Sequence, residues 1–502
     1  MKPLLHILCL AGILFAIPCL TPHLEVPTSS PTFYTPQYLA MQTPGSAEFS
    51  LDSSYHSKYF AFFFDTSGEH QVSAIDNNSN AIPDYVEDIG VQLDSIYEMY
   101  IQPELWGAPP LLNDSLYPVY FQKLQDNYYG YVQPNKSIGD NPNTPAVELD
   151  AYDSYMVLRN TYGSFENPQE ALLATLAHEF LHSIQFGYDA FEEKWLIEGQ
   201  ATSMEYWVYP ELRDNFQFLS IWYNHHDASL HYNSVTQNQN PDWNQMVYSI
   251  WPFFYQLYEE HDGLEIGAAI SRSSAKFNSQ LVNTSLLSLE DALIDFGSSI
   301  REEYSKFAIK SLFINQAELS VTPAIDFKEY FPSLFLNIEN TLNIRTFPYH
   351  YLSDEGNGFL RTNGFDLIEL SFDQPMYVEL ETLQNSKQIY WIQLDTNTTP
   401  HYDYSQASAP LFLEPNPNGK NTFLMIFNFD NESANVDYEL SFQADHNRTN
   451  QFCKGEEQAI VCGSTYDING KLKATQINEF MQLLPGRYYQ KKDGQSRPLI
   501  LK

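Results

Sequence analysis

Between Ala171 and Tyr206 the chain reads ALLATLAHEFLHSIQFGYDAFEEKWLIEGQATSMEY, and within it lies His178-Glu179-Phe180-Leu181-His182. In a helix, residues four apart sit about 40° apart around the axis, so His178 and His182 can serve one ion while Glu179 flanks it. The surrounding residues support a helix independently. Asn167 is a capping residue, Pro168 fills the first turn without wasting a donor, Glu170 can close a capping box, and Gly187 is a natural stop. Leu172, Leu173, Leu176, Phe180 and Ile184 cluster on one side, with Ala171, Ala174, Thr175, His178, His182 and Gln185 on the other. The histidines therefore lie opposite the apolar face, beside small residues that leave room for a metal and a substrate. The competing reading is a surface helix with two unrelated histidines.

A catalytic zinc usually takes three protein ligands and keeps one position open. Asp189, Glu192, Glu193 and Glu198 are the candidates for the third. The first three belong to the connection that reverses the chain between Gly187 and Lys194. Glu198 starts a second apolar helix, roughly Trp195 to Trp207, which can return antiparallel and aim a carboxylate at the histidines. Glu198 is therefore the expected ligand. Glu205, seven residues further along the same face, could orient a bound histidine, although a solvated charge is its favoured reading.

H-E-F-L-H followed by W-L-I-E-G-Q-A resembles the gluzincin metallopeptidases, in which the helix after H-E-x-x-H supplies a glutamate as third zinc ligand. Q-F-G-Y-D and M-E-Y-W-V-Y-P look like a secreted bacterial branch of that group. The likeness covers roughly Tyr55 to Phe313, with a His182-to-Glu198 interval somewhat shorter than in the best-known members. It implies a zinc peptidase with Glu179 as general base. It also implies that the strand before the zinc helix borders the sheet above the metal, so Tyr155, Met156, Val157 and Leu158 would pair with a peptide substrate. An ordinary core strand is the other reading. Tyr248, at the start of an aromatic helix with Pro252 near its first turn, resembles by position the tyrosine that stabilises the oxyanion; His231 is second.

The run from Asp76 to Glu87 places Asp76, Asn78, Asn80, the Ile82 carbonyl, Asp84 and Glu87 at the ligand positions of an EF-hand loop, which makes Ca2+ a second expected ion. Ala81 stands where glycine would ease the turn, and a strand, not a helix, precedes the loop. It more closely resembles the D-x-N-x-N-G-I-P-D-Y-V-E loops of secreted bacterial proteins. The rival is a polar turn that starts a helix from Asp84 to about Tyr100. Strands are expected around Tyr59–Phe64, Tyr117–Phe121 and Ser154–Arg159, and later helices from about Leu289, capped by Ser288, to Phe313.

The N-terminal stretch reads as an export signal over 1–20, followed by a Pro/Thr/Ser-rich linker or pro-segment over 21–50. Only Cys453 and Cys462 of the four cysteines lie beyond that signal, and a disulfide between them suits an exported chain. A net charge of −37 argues against binding nucleic acid or an anionic membrane through bulk charge. No transmembrane anchor is expected. At 502 residues the chain has room for several domains: a zinc metallopeptidase domain over 51–342, a β-sandwich over 343–445 and a small β-rich module over 446–502. The fold class is α+β, with a mixed sheet and a helical lobe in the first domain. In the last module, S-T-Y-D-I-N-G-K-L and L-L-P-G-R-Y-Y-Q-K-K resemble the sorting modules of type IX secretion, which would make secretion machinery a partner and the cell surface or medium the destination.

The function these residues suggest is hydrolysis of protein or peptide substrates by zinc-activated water, with Glu179 moving the proton. The alternative is a surface binding protein on a metallopeptidase scaffold. An intact H-E-x-x-H speaks against it, because binding alone has no need of Glu179.

Overall fold

The computed structural model describes residues 17–19, 51–111, 116–125, 128–232, 245–277, 279, 284–312, 336–338, 340–353, 360–382, 389–395, 401–406, 410–415, 422–429, 435–444, 464–467, 472–474, 486–492 and 495–501. Cys453 and Cys462 lie outside the described residues, as does all of the 1–20 segment except Ile17–Cys19. The chain is mixed α+β with several separate sheets. It divides into two compact units, Met1–Trp222 with His231–Phe307 and Tyr223–Leu230 with Ala308–Lys502. No described helix is long and apolar enough to cross a membrane.

In the first unit, a six-stranded sheet contains β1 (Ile17–Cys19), β2 (Ser53–His56), β3 (Phe60–Phe64), β4 (Tyr117–Gln122), β5 (Tyr128–Gly139) and β6 (Ala151–Arg159). Their spatial order is β1-β5-β6-β4-β3-β2. Because β3 and β4 are parallel, the chain must cross over between them. Helix α1 (Asp84–Tyr100) makes the crossover, burying Val86, Ile89, Leu93, Ile96 and Tyr100 at helical spacing. Helix α2 (Pro168–Gln185) carries the two histidines. Its Phe180 ring packs within 5.3–6.4 Å of the rings of Phe60, Tyr97, Tyr100 and Tyr117, which fixes the helix on the sheet. Asn167 stands at the N-cap without a side-chain capping bond. Glu170 accepts from the backbone N–H of Arg213 (3.4 Å), so the expected capping box does not form.

The strand expected to border the sheet is an interior one. All nine residues of β6 are buried, and Met156, Val157 and Leu158 pair with β4 on one side and β5 on the other. Tyr155 pairs with Gln133 of β5. With both sides of its backbone engaged, β6 offers no peptide a free ladder, which corrects the expected substrate role of Tyr155–Leu158. The next strand outward, β5, runs along α2. There Gly130 lies so close to α2 that a Cβ on it would come within 2.9 Å of Thr175 Cγ2 and 3.4 Å of Glu179 Cγ. On the outer side of β5, Ile17–Cys19 pairs in parallel, Ile17 opposite Tyr128 and Cys19 opposite Gly130.

The second unit contains a β-sandwich. One sheet has the order β13-β12-β15-β10-β7 and the other β14-β11-β17-β8. In the first are β7 (Asn340–Ile344), β10 (Phe365–Phe372), β12 (Ile389–Asp395), β13 (His401–Gln406) and β15 (Thr422–Asn428); in the second are β8 (Tyr349–Leu352), β11 (Met376–Thr382), β14 (Leu411–Leu413) and β17 (Tyr438–Ala444). Ile368, Leu370, Leu424 and Ile426 from one sheet share a core with Met376, Val378, Leu440 and Phe442 from the other, as alternate positions on a half-buried strand should. The unit starts earlier than residue 343. Its members Tyr223–Leu230 are tied in by Asn337 N–H to Tyr223 O (2.8 Å), Phe365 N–H to His226 O (3.1 Å) and the ion pair of Arg361 with Asp227 (2.9 Å). The described C-terminal residues form a further four-stranded antiparallel sheet between Ser464 and Leu501.

Helix α3 (Lys194–Val208) follows α2 after a reversal and lies against it. The aromatic helix expected from Tyr248 is broken in two, α5 (Met246–Ser249) and α6 (Trp251–Glu260), with Pro252 in the first turn of the latter. Helix α8 (Ser285–Asp295) begins before Ser288, whose hydroxyl donates to Glu192 Oε2 (3.0 Å) instead of capping. At Gly199, beside Glu198, a Cβ would meet Phe254 Cε2 at 2.4 Å and Ile250 Cγ2 at 2.9 Å. Only a glycine lets α3 approach α6 this closely. Gly199→Ala should therefore destabilise the fold by about 1–3 kcal/mol through overpacking, read as a lower midpoint in urea unfolding; an unchanged midpoint would show that the contact yields without strain.

Candidate metal centre

Burial and helix pairing bring His178, His182 and Glu198 together. All three are at most 1% exposed. His178 Nε2 lies 3.0 Å from His182 Nε2 and 3.1 Å from Glu198 Oε2, and His182 Nε2 lies 3.3 Å from Glu198 Oε1. These separations approach the roughly 3.3 Å edge of a tetrahedron whose corners lie about 2.0–2.1 Å from its centre, the bond lengths of zinc to nitrogen and oxygen. Among the described residues this is the one set of three ligand-type side chains whose atoms all converge within 4.8 Å.

The other nitrogen of each imidazole is also engaged. His178 Nδ1 is 2.8 Å from Glu205 Oε1, and His182 Nδ1 is 2.8 Å from Gln185 Oε1. With Nδ1–H donating to each oxygen, both Nε2 atoms present lone pairs to one another and to a carboxylate. Two lone pairs 3.0 Å apart repel, and a cation between them and Glu198 relieves the repulsion. The donor set therefore fits a zinc-type ion: two neutral imidazoles and one carboxylate, with a coordination position left for another ligand.

Electrostatics pull the two imidazoles in opposite directions. Burial alone would raise the Glu198 carboxyl, but the two imidazoles outweigh it and hold the group down at about 2. Burial pushes His178 down to about 4, and its neighbour His182 adds to the shift. Burial also works against charge on His182, where the Glu198 carboxylate prevails and raises it. Glu205 is raised well above the ordinary carboxylate range by burial, then by Asp214, Glu179 and Glu198. Glu205 is 2% exposed, so the solvated reading of this residue is corrected. The cause is α3 itself, which turns the Glu198–Glu205 face towards α2. Near it stands a further carboxyl, the half-buried Asp214, raised to about 6 by desolvation and accepting a bond from the Tyr129 hydroxyl (3.1 Å).

Glu179 is fully buried next to His178 on α2, on the side facing Gly130 of β5. The Tyr248 ring centroid is 6.3 Å from that of His178, held by stacking on Phe218 at 5.1 Å. Tyr248 thus stands beside a ligand imidazole. His231 is partly buried, and burial lowers its imidazole to about 4. The Asp76–Glu87 loop closes on itself. Asp76 accepts from Asn80 N–H (3.2 Å) and Ala81 N–H (2.9 Å), Asn80 Oδ1 accepts from Ile82 N–H (2.8 Å), and Asp84 accepts from Asn77 N–H (3.1 Å). Glu87 accepts from the side-chain amides of Asn78 (2.9 Å) and Asn80 (2.7 Å). Ala81 has φ 71°, the left-handed conformation for which position six of a calcium loop favours glycine.

Gln185, a partner of His182, and Asp214, whose charge acts on Glu205, are absent from the residues read as functional in the sequence. Gln185 had a detectable signal, since it lies one helical turn beyond His182. Asp214 had none, being brought in by tertiary packing.

No protein-family model matches the chain, and no curated protein matches it. Solved structures that resemble parts of it include the pre-peptidase C-terminal domain of a collagenase from Bacillus anthracis, with 14% identity, TM-score 0.16, 21% of this chain and 97% of that one. A second is the Yersinia pseudotuberculosis-derived mitogen, with 16% identity, TM-score 0.16, 21% of this chain and 92% of that one. A third is the CUB1-EGF-CUB2 region of rat MASP-1, with 11% identity, TM-score 0.15, 26% of this chain and 52% of that one. No functional statement rests on likenesses of that extent. What stands is an α+β chain with a buried His-His-Glu centre of metal-binding character.

The α2–α3 connection sets the spacing of the centre and contains its own buried acids. Asp189, 2% exposed, accepts from Phe191 N–H (2.8 Å), and burial, then Glu192, pushes its carboxyl up to about 8 from 3.8. A raised carboxyl favours the fold most below the unfolded value, and that contribution is lost as pH rises through about 8. Asp189→Asn keeps the acceptor and removes the titration. Its melting temperature should gain on that of the native chain as pH rises from 5 to 9, whereas parallel pH profiles would show that Asp189 does not titrate in this range.

Proposed function

We propose that the chain is a secreted zinc-dependent peptidase of the gluzincin type. The observation that carries the reading is the convergence of two imidazole lone pairs and an ionised glutamate in a water-poor site, with Glu179 on the same helix. His178, His182 and Glu198 would hold the ion. Bound there, zinc supplies Lewis acidity towards water and a peptide carbonyl.

The chain's own residues supply the rest. Glu179 takes a proton from the attacking water as its oxygen bonds to the carbonyl carbon, and then passes that proton to the amide nitrogen as the C=O bond re-forms and the C–N bond breaks. The Tyr248 hydroxyl donates to the oxygen on which negative charge develops. Glu205 holds the His178 ring from behind through Nδ1. The outer edge of β5, which passes Glu179 at Gly130 and is paired there with Ile17–Cys19, would take an extended peptide backbone once that segment leaves with the export signal. An export signal over 1–20 and the sorting-like C-terminal module support the assignment to the cell exterior.

Glu179→Gln is isosteric and removes the base. The native chain should bind about one zinc and cleave an unbiased peptide mixture, with new termini read by mass spectrometry. The variant should bind the same zinc and lose cleavage by about 100-fold or more. Equal cleavage by both would remove Glu179 as base, and zinc without cleavage in the native chain would favour a binding protein on this scaffold.

Calcium in the Asp76–Glu87 loop is a second proposal, supported by the alternating oxygen-bearing residues and the left-handed Ala81. Millimolar Ca2+ should raise the melting temperature of the native chain more than that of Glu87→Gln. Identical shifts would assign the effect elsewhere.

A further inference from the structure

We infer that Gln185 is a positioning residue of the metal centre, fixing the tautomer of His182 while tying the Glu198 helix to the histidine helix. The inference rests on the zinc reading above and concerns how the centre is held ready.

The amide orientation follows from its two partners. One end of Gln185 lies 3.1 Å from the backbone carbonyl of Ile197, and the other lies 2.8 Å from His182 Nδ1. A carbonyl oxygen only accepts, so the group facing Ile197 is the NH2 and the group facing His182 is the amide oxygen. His182 Nδ1 must then carry its proton, and Nε2 is left as a lone pair towards His178 and Glu198. The reversed amide would set two oxygens 3.1 Å apart and ask Nδ1 to accept. That would move the imidazole proton to Nε2, into the space where the ion belongs. Gln185 is 4% exposed and His182 fully buried, so bulk water does not supply a substitute partner.

The position of Gln185 makes the same bond mechanical. It is the last residue of α2, three beyond His182, and Ile197 immediately precedes Glu198 in the first turn of α3. One amide therefore reaches from a ligand on one helix to the residue adjoining a ligand on the other. The two imidazoles also have unlike partners, a carboxyl at His178 and a neutral amide at His182. Glu179, Glu198 and Glu205 are already buried around the site. A second carboxylate behind His182 would add negative charge and could not donate to Ile197.

The test uses the full chain as native protein, Gln185→Met and Gln185→Glu. Zinc affinity is measured by chelator competition, and the His182 tautomer by 15N NMR of the zinc-free protein. The native chain should show His182 protonated at Nδ1. Gln185→Met should bind zinc 10- to 100-fold more weakly and show mixed tautomers, with helical circular dichroism retained. Gln185→Glu should keep the Nδ1–H form and still bind more weakly than native, because the bond to Ile197 is gone. If Gln185→Met does not fold, Gln185→Glu decides the point. Zinc binding in the native chain, matched within twofold by each variant that folds, would overturn the role of Gln185. A native chain without zinc affinity would overturn the metal reading and this inference with it.

Discussion

Two imidazole nitrogens lie 3.0 Å apart, and each faces a different oxygen of one carboxylate at 3.1 and 3.3 Å, in a space closed to solvent. Such an arrangement is unfavourable in isolation, since buried lone pairs repel and an ionised carboxylate loses its hydration. The structure around it resists its dispersal. Phe180 and its ring of aromatic neighbours fix α2, Gly199 admits α6 against α3, and Gly130 lets β5 pass beside Glu179. Glu205 and Gln185 engage the far nitrogens so that both rings present the same kind of atom inward. The acidity pattern follows from the same site: Glu198 is held low by two imidazoles, and Glu205 is raised by burial and, after that, by the carboxylates around it.

The sheet contributes support: its buried strand β6 is walled by β4 and β5, and β5 passes close to the helix that carries Glu179. The sandwich unit is a separate body with its own two-sheet core, and the four-stranded C-terminal sheet belongs to the same part of the chain.

Local pattern exposed much of this. The 3.6-residue spacing and the proline after Asn167 located α2, the apolar run after Lys194 located α3, and α1 runs over Asp84–Tyr100 as the sequence suggested. Glu198 was separable from its rivals because only it sits on a returning helix. Errors arose where a distant partner decided the outcome. Glu205 reads as a solvated charge until α2 is laid on it, and Ser288 reads as a cap until Glu192 claims its hydroxyl. β6 resembles an edge strand because strand order in a sheet is a non-local property.

By itself, then, the sequence determined α1, α2, α3 and the identity of the three converging side chains, because periodicity and H-E-x-x-H spacing act within a few residues. Tertiary structure decided which strand is outermost, where the sandwich unit begins, and which groups stand behind each imidazole. These depend on contacts such as His178 with Glu205, 27 residues apart, and Tyr223 with Asn337. No local propensity encodes such contacts. They form only when packing brings distant segments together and the burial of their polar atoms selects the partners.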